Sequence, residues 1–244
     1  MRRLVAAGGV AVFAVILVLA ARSPQSAPPP AVTGSPPPFA TADPADTSRV
    51  VPPAGYGRIA LDDRVDRTRR VVRGLAIPIA DASLPTDPEL LPNAPREFRA
   101  GWHEGIDFPA ATGTEVHAVA AGTILRIDHD FIDWSSDQKD AALEEAVRLG
   151  YTPSATLDRI RGRQVWIDHG GGVISRYAHL SAVADLSVGA AVERGQVVGL
   201  VGSSGYPEGG PHLHLEIRTG ASYLGDGLSG DALLAAIAAA FVAP

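Results

Sequence analysis

The sequence predicts a mainly β fold, an antiparallel β-sheet domain with one helical insert and a C-terminal helix. Three observations predict it. Short segments of alternating apolar and polar residues recur through the second half of the chain, as in TEVHAVAAGTILRIDH, RQVWIDH and VISRYAHL. Glycines punctuate them at hairpin spacing, most clearly Gly170, Gly171 and Gly172 between RQVWIDH and VISRYAHL. Within that half, helix-like sequence is confined to one internal stretch and the tail.

The chain opens on Arg2 and Arg3 followed by an apolar run, Leu4 to Ala21. That order is the charged and hydrophobic part of a secretory leader. The run is also long enough to span a bilayer, so it reads as a signal peptide or an uncleaved signal anchor, residues 1–21. The positive-inside rule then places the bulk of the chain outside the cytoplasm. Residues 22–47, which include SPQSAPPPAVTGSPPPFATADPADT, have almost no large apolar side chain. They cannot bury enough surface to offset the entropy of ordering and are expected to be a disordered linker. Residues 48–73 are intermediate, with a short helix expected over Asp62–Val72 and Leu61, Val65 and Val72 facing inward.

The folded domain is expected to occupy residues 74–244. GLAIPIA reads as a short edge strand whose pairing Pro78 limits. DASLPTDPELLPNAPREFRAG reads as a long Pro-rich loop. The strands follow, ending with GQVVGLVGSSG and HLHLEIR. Between two of them, at about 132–161, lies the insert. There SSDQKDAALEEAVRLG carries start signals at Ser136 and Asp137, apolar Leu143, Ala146 and Val147, and a stop at Gly150. A second short helix is expected over Ser154–Ile160. The Ala-rich tail GDALLAAIAAAFVAP is expected to form a helix packed on the sheet.

Composition excludes several classes of function. Formal net charge is −6 over 244 residues, so no nucleic-acid partner is expected. The cluster Arg67, Arg69, Arg70 and Arg73 is broken by Asp66, Val71 and Val72 and reads as a solvated surface. Membrane contact is expected only through the N-terminal segment. There are no cysteines, which removes disulfides, thiol nucleophiles and Cys-based zinc sites. A metal site must use His, Asp and Glu.

Three short motifs supply such residues. In GPHLHLEI, strand geometry puts His212 and His214 on one face and Leu213 on the other. In HEGID, His103 and Asp107 are four apart and can converge on one ion; imidazole and carboxylate both suit zinc. In RYAHLS, His179 lies two residues after Tyr177, so the two are expected to share one strand face; Tyr177 then lines a groove or packs in the core. A catalytic zinc takes three protein ligands and leaves one position open. The set therefore leaves two histidines for proton transfer and for stabilising an oxyanion. Spacing alone does not choose between His212 and His214 as ligand.

With these motifs in this order, and with AVAAGTILRI, VWIDHGGGVISRYAHL and VERGQVVGLVGSSG between them, the chain resembles the M23 family of zinc metallopeptidases, the lysostaphin-like or LytM-type peptidoglycan endopeptidases. The resemblance covers roughly Gly74 to Arg218. It implies an antiparallel β-sheet metallopeptidase domain with a groove. It implies that His103, Asp107 and His214 bind Zn2+, with His179 and His212 beside the metal as catalytic residues. It further implies an exported endopeptidase whose zinc activates water and polarises the scissile carbonyl, acting on peptidoglycan in the cell envelope. The alternative is a non-enzymatic relative that binds the wall or activates another hydrolase. Such relatives lack some ligands, whereas here all five positions are filled. A third possibility, an unrelated β domain with incidental histidines, predicts no stoichiometric metal.

Other residues have plainer readings. Glu104 follows a candidate ligand, but the second His of an HExxH motif is replaced by Asp107, so Glu104 belongs beside the site or on the surface. His117, His129 and His169 match no ligand position and are expected to be structural or exposed. The chain departs from the family pattern at the insert, which can act as a lid, narrow substrate choice or bind a regulatory protein. It departs again at GSSGYPEGGPHLH, where Tyr206 and Glu208 change a groove wall.

Overall fold

The chain's register is set by its longest strand. In the computed structural model, which describes residues 72–242, the strand HLHLEIRT buries Leu213, Leu215 and Ile217 on one face. Each such side chain contributes about 1.5–3 kcal/mol when removed from water. A slip of one residue would turn all three out of the apolar core and aim His212, His214, Glu216 and Arg218 into it instead, so the pairing is strongly specified. The leader and linker expected over 1–47, and the helix expected over Asp62–Val72 except for Val72 itself, lie outside the described residues. Among the described residues no helix is long and apolar enough to cross a membrane.

The elements run in chain order β1 (Pro95–Arg96), β2 (Gly101–Trp102), β3 (Ile106–Pro109), β4 (Glu115–His117), β5 (Gly122–Ile127), α1 (Ser136–Leu149), α2 (Ser154–Arg161), β6 (Val165–Asp168), β7 (Val173–Ala178), β8 (Ala182–Val183), β9 (Ala191–Val192), β10 (Val197–Leu200), β11 (His212–Thr219), β12 (Ser222–Tyr223) and α3 (Gly230–Ala240). The main sheet has the order β12-β11-β7-β6-β5-β9, and β3 adds to β11 along its N-terminal half. All these pairings are antiparallel. A second sheet has the order β4-β10-β8. The expected hairpin across Gly170–Gly172 is β6–β7, with Val165, Ile167, Val173 and Tyr177 in the core.

The tail forms α3, and Leu233, Ile237 and Ala240 join the main core. Beyond it Phe241 bridges Leu75, flanked by Leu75 N–H to Ala240 O at 3.0 Å and Val242 N–H to Leu75 O at 2.9 Å. GLAIPIA is therefore not an edge strand. Pro78 has no N–H to continue a ladder, and the segment is held by separate bonds: Ala76 N–H to Val119 O and His117 N–H to Pro78 O. The Pro-rich loop is also more ordered than expected. It holds the β1–β2 ladder and single helical turns at Pro88–Leu90 and Glu97–Arg99.

Both helices of the insert are present, between β5 and β6. Helix α1 starts one residue earlier than its expected signal. Ser135 is the cap and forms a capping box with Gln138, which leaves Ser136 and Asp137 as the first helical residues. Its buried apolar contact is Ala146, while Val147 is 52% exposed.

Candidate metal centre

The pairing of β3 with β11 sets His214 directly opposite Asp107. The loop before β3 turns back over β11, and His103 is pinned there by its N–H to Ala94 O and its carbonyl to Asn93 N–H. Gly105 permits this close pass. A Cβ there would sit 2.6 Å from Leu215 O and 2.8 Å from His214 Cε1. HEGID thus needs its glycine as much as its histidine and aspartate.

Three atoms then form a closed triangle. His103 Nε2 lies 3.0 Å from Asp107 Oδ1 and 3.0 Å from His214 Nδ1, and His214 Nδ1 lies 2.9 Å from Asp107 Oδ1. Outward hydrogen bonds set which ring nitrogens face inward. His103 Nδ1–H donates to Leu91 O at 2.8 Å, and His214 Nε2–H donates to Glu216 Oε1 at 3.3 Å. In the neutral rings the inward nitrogens therefore carry lone pairs. Two nitrogen lone pairs and a carboxylate oxygen converge, each ring fixed from behind by a carbonyl or carboxylate, a donor set and outer support that could hold a metal ion and suit zinc. Ligands about 2.0–2.1 Å from a tetrahedral ion lie roughly 3.3 Å apart, close to the spacing seen. These residues are the one metal-capable group among the described residues.

Two further imidazoles flank the triangle. Strand β7 ends at Ala178, and His179 takes a left-handed φ of 59°. That torsion breaks the alternation, so His179 and Tyr177 do not share a face. Tyr177 is fully buried, its hydroxyl accepting from Val119 N–H at 2.8 Å; of its two readings, core packing is the one realised. His179 Nδ1–H donates to Ser204 O at 2.8 Å and His212 Nδ1–H to Gly210 O at 2.9 Å. Both rings thus keep Nε2 as the free site. Their centroids are 4.6 Å apart, and His212 Nε2 lies 3.7 Å from Asp107 Oδ1. All five residues singled out from the sequence are brought together.

The charge pattern follows from burial and these bonds. Burial alone would raise the Asp107 carboxyl, but the two imidazoles against it, His103 and His214, outweigh this in their protonated forms and hold it well below the usual range. Burial would lower His214, but hydrogen bonds to Asp107 and Glu216 raise it to about 9 in the metal-free protein. Burial keeps His103 below its ordinary value, and burial with His212 and His214 nearby pushes His179 down to about 3.

The surroundings hold residues that motif reading missed. Glu216 is completely buried. Its signal was the same two-residue period that paired the histidines, since the alternation of HLHLEIR puts Glu216 and Arg218 on their face. Glu104 is held by Arg161 at 2.7 Å and Arg218 at 2.9 Å and stands outside the triangle. His117, His129 and His169 bond the carbonyls of Pro78, Leu186 and Ala121 and are structural.

The site opens into a groove of about 420 Å³. The insert forms part of its wall through Leu157, Ile160 and Arg161. Tyr206 and Glu208 meet the insert and the turn beneath it. Tyr206 stacks on Phe98 with centroids 4.9 Å apart, and Lys139 pairs with Glu208 at 2.5 Å. Trp134 Nε1–H donates to Gly205 O, and Gly205 N–H donates to Asp133. At Gly162 a Cβ would fall 2.3 Å from Ser204 O, so the end of the insert interlocks with the loop that holds His179.

The model of peptidase family M23 matches residues 101–225. The DD-carboxypeptidase/endopeptidase Mpg of Neisseria meningitidis serogroup B is 35% identical over 116 residues, which is 48% of this chain and 20% of that protein. The murein hydrolase activator EnvC of Escherichia coli is 34% identical over 115 residues, 47% of this chain and 20% of that protein. The chain thus spans about a fifth of the length of these curated relatives. Among solved structures, the catalytic domain of the antimicrobial peptidase lysostaphin from Staphylococcus simulans is 28% identical with a TM-score of 0.34, covering 50% of this chain and 70% of that one.

Proposed function

The chain belongs to peptidase family M23, and on that premise we propose that it is an exported zinc-dependent endopeptidase that hydrolyses peptide bonds of bacterial peptidoglycan. The observation that carries this reading is the triangle of inward donor atoms with two further imidazoles, both free at Nε2, beside it. The names of Mpg and EnvC support the wall as substrate. The apolar run after Arg2 and Arg3 supports export.

In this reading His103, Asp107 and His214 hold the metal. Zinc, when bound, supplies Lewis-acid polarisation of the scissile carbonyl and lowers the pKa of water. The remaining chemistry is the protein's own. With Nδ1–H committed to backbone carbonyls, His179 and His212 exchange protons only at Nε2. A neutral ring takes the proton of the attacking water there and returns it to the leaving amine. A protonated ring donates to the carbonyl oxygen as it gains charge. The groove wall from the insert excludes water and limits which peptides enter.

The likeness to EnvC favours one second reading, a wall-bound activator whose insert docks a regulatory protein. The complete set of five residues weighs against it. The test is digestion of purified peptidoglycan by the full chain, with fragments read by mass spectrometry. Fragments that disappear with a chelator and with His214→Ala are expected, and their masses identify the bond. Zinc bound without any fragment would move the reading to the activator. Neither zinc nor fragments would overturn both.

A further inference from the structure

The insert reaches the candidate metal centre through one residue. Arg161 closes α2 and is 7% exposed. Its Nε donates to Glu216 Oε1 at 2.5 Å, and its Nη2 donates to Glu104 Oε2 at 2.7 Å. Glu216 Oε1 is also the atom that accepts His214 Nε2–H. The other oxygen, Oε2, faces Nη1 of Arg176 and of Arg218, each at 3.4 Å. The three guanidinium groups therefore divide the carboxylate between them. Arg176 and Arg218 hold the far oxygen loosely, and Arg161 alone holds the near one. Arg161 acts on the second side of the site as well, since its carbonyl accepts His179 N–H at 2.8 Å.

A ligand histidine presents the correct nitrogen only if its other nitrogen has a fixed acceptor. Glu216 Oε1 is that acceptor for His214, and without Arg161 the carboxylate is free to turn toward Arg176 and Arg218. We propose that Arg161 is a positioning residue: by aiming Glu216 Oε1 at His214 Nε2 it keeps Nδ1 facing the metal position, so the helical insert is part of the metal centre and not an appended lid. This rests on the reading of His214 as a metal ligand.

The test uses the full chain and three variants, Arg161→Met, Arg161→Lys and Arg176→Met. Zinc affinity is measured by competition with a chromophoric chelator, the visible spectrum of the Co2+-loaded protein is recorded, and thermal midpoints are taken without metal. Arg161→Met is expected to lower zinc affinity by about 10–100-fold and to alter the Co2+ spectrum. Arg176→Met also removes a cation from Glu216, but from Oε2, and is expected to stay within about threefold of the native chain. Arg161→Lys restores a donor to Oε1 and is expected to fall between native and Met; it keeps the test intact if Arg161→Met does not fold. Zinc affinity and Co2+ spectrum unchanged in both Arg161 variants would overturn the proposal while leaving the family reading untouched. Equal losses in Arg161→Met and Arg176→Met would also overturn it, as a merely structural charge effect. A native chain that binds no zinc would overturn the metal-centre reading and this proposal with it.

Discussion

At the scale of single residues, one torsion separates chemistry from packing. His179 leaves the strand in a left-handed conformation, and Tyr177 two positions earlier goes to the core. If His179 and His212 do the proton transfer, His179→Ala and His212→Ala should each lower kcat/KM on a muropeptide by about 10²–10⁴-fold, while metal content stays that of the native protein. Loss of metal in either variant would reassign the residue. His169 shows the opposite use of an imidazole. Its Nδ1–H donates to Ala121 O and its Nε2 lies 2.7 Å from Ser175 Oγ, an arrangement for the neutral ring. Burial lowers its pKa below 6.5, so the unfolded chain binds the extra proton first. Its contribution to stability is complete above about pH 6.5 and is lost as pH falls toward the depressed value. Urea titrations of His169→Gln and the native protein should therefore differ in slope against pH below that point. That the five candidate residues meet was legible because each stands in a short motif. Glu216 and Arg161 were not, because a polar residue on a strand and a basic residue ending a helix look ordinary, and their contact spans 55 positions.

At the scale of elements, period and punctuation carried most of the information. The β6–β7 hairpin, β11, α2 and α3 were legible because alternation or helical spacing matched what each buries. GLAIPIA was not, since its alternation is real but Pro78 denies it a ladder, and its bonds go to scattered partners. The start of α1 was missed by one residue because Ser135, Ser136 and Asp137 are all good caps; the reciprocal bond to Gln138 decides for Ser135. Ser135→Ala should therefore cost about 0.5–2 kcal/mol, whereas Ser136→Ala should change little, both read from urea midpoints. On α3, Ile237 is 2% exposed in the main core. Ile237→Ala should destabilise the domain by about 2–5 kcal/mol, and a loss under 1 kcal/mol, about the cost of a surface change, would show that the tail helix is dispensable.

At the scale of the whole molecule, the bound metal would tie β3, β11 and the loop between β2 and β3 together. Zinc added to the chelated protein should raise its thermal midpoint, and His214→Ala should abolish that rise. Tyr206, stacked on Phe98, puts both rings into the wall of the groove on one side. Tyr206→Ala should widen it, seen as a gain on large cross-linked fragments relative to small peptides. The presence of the insert was legible as a helical break between strands, but its attachment to the site was not, because close backbone contacts such as Gly162 on Ser204 leave no trace in local pattern. Leu75 and Phe241 lie side by side, so the two ends of the described segment, residues 72–242, meet at one point. A unit with adjoining ends can be spliced into a loop of another protein, or rejoined and reopened elsewhere, without dragging on its interior. Such a domain is a portable cassette that longer chains can carry without being rebuilt around it.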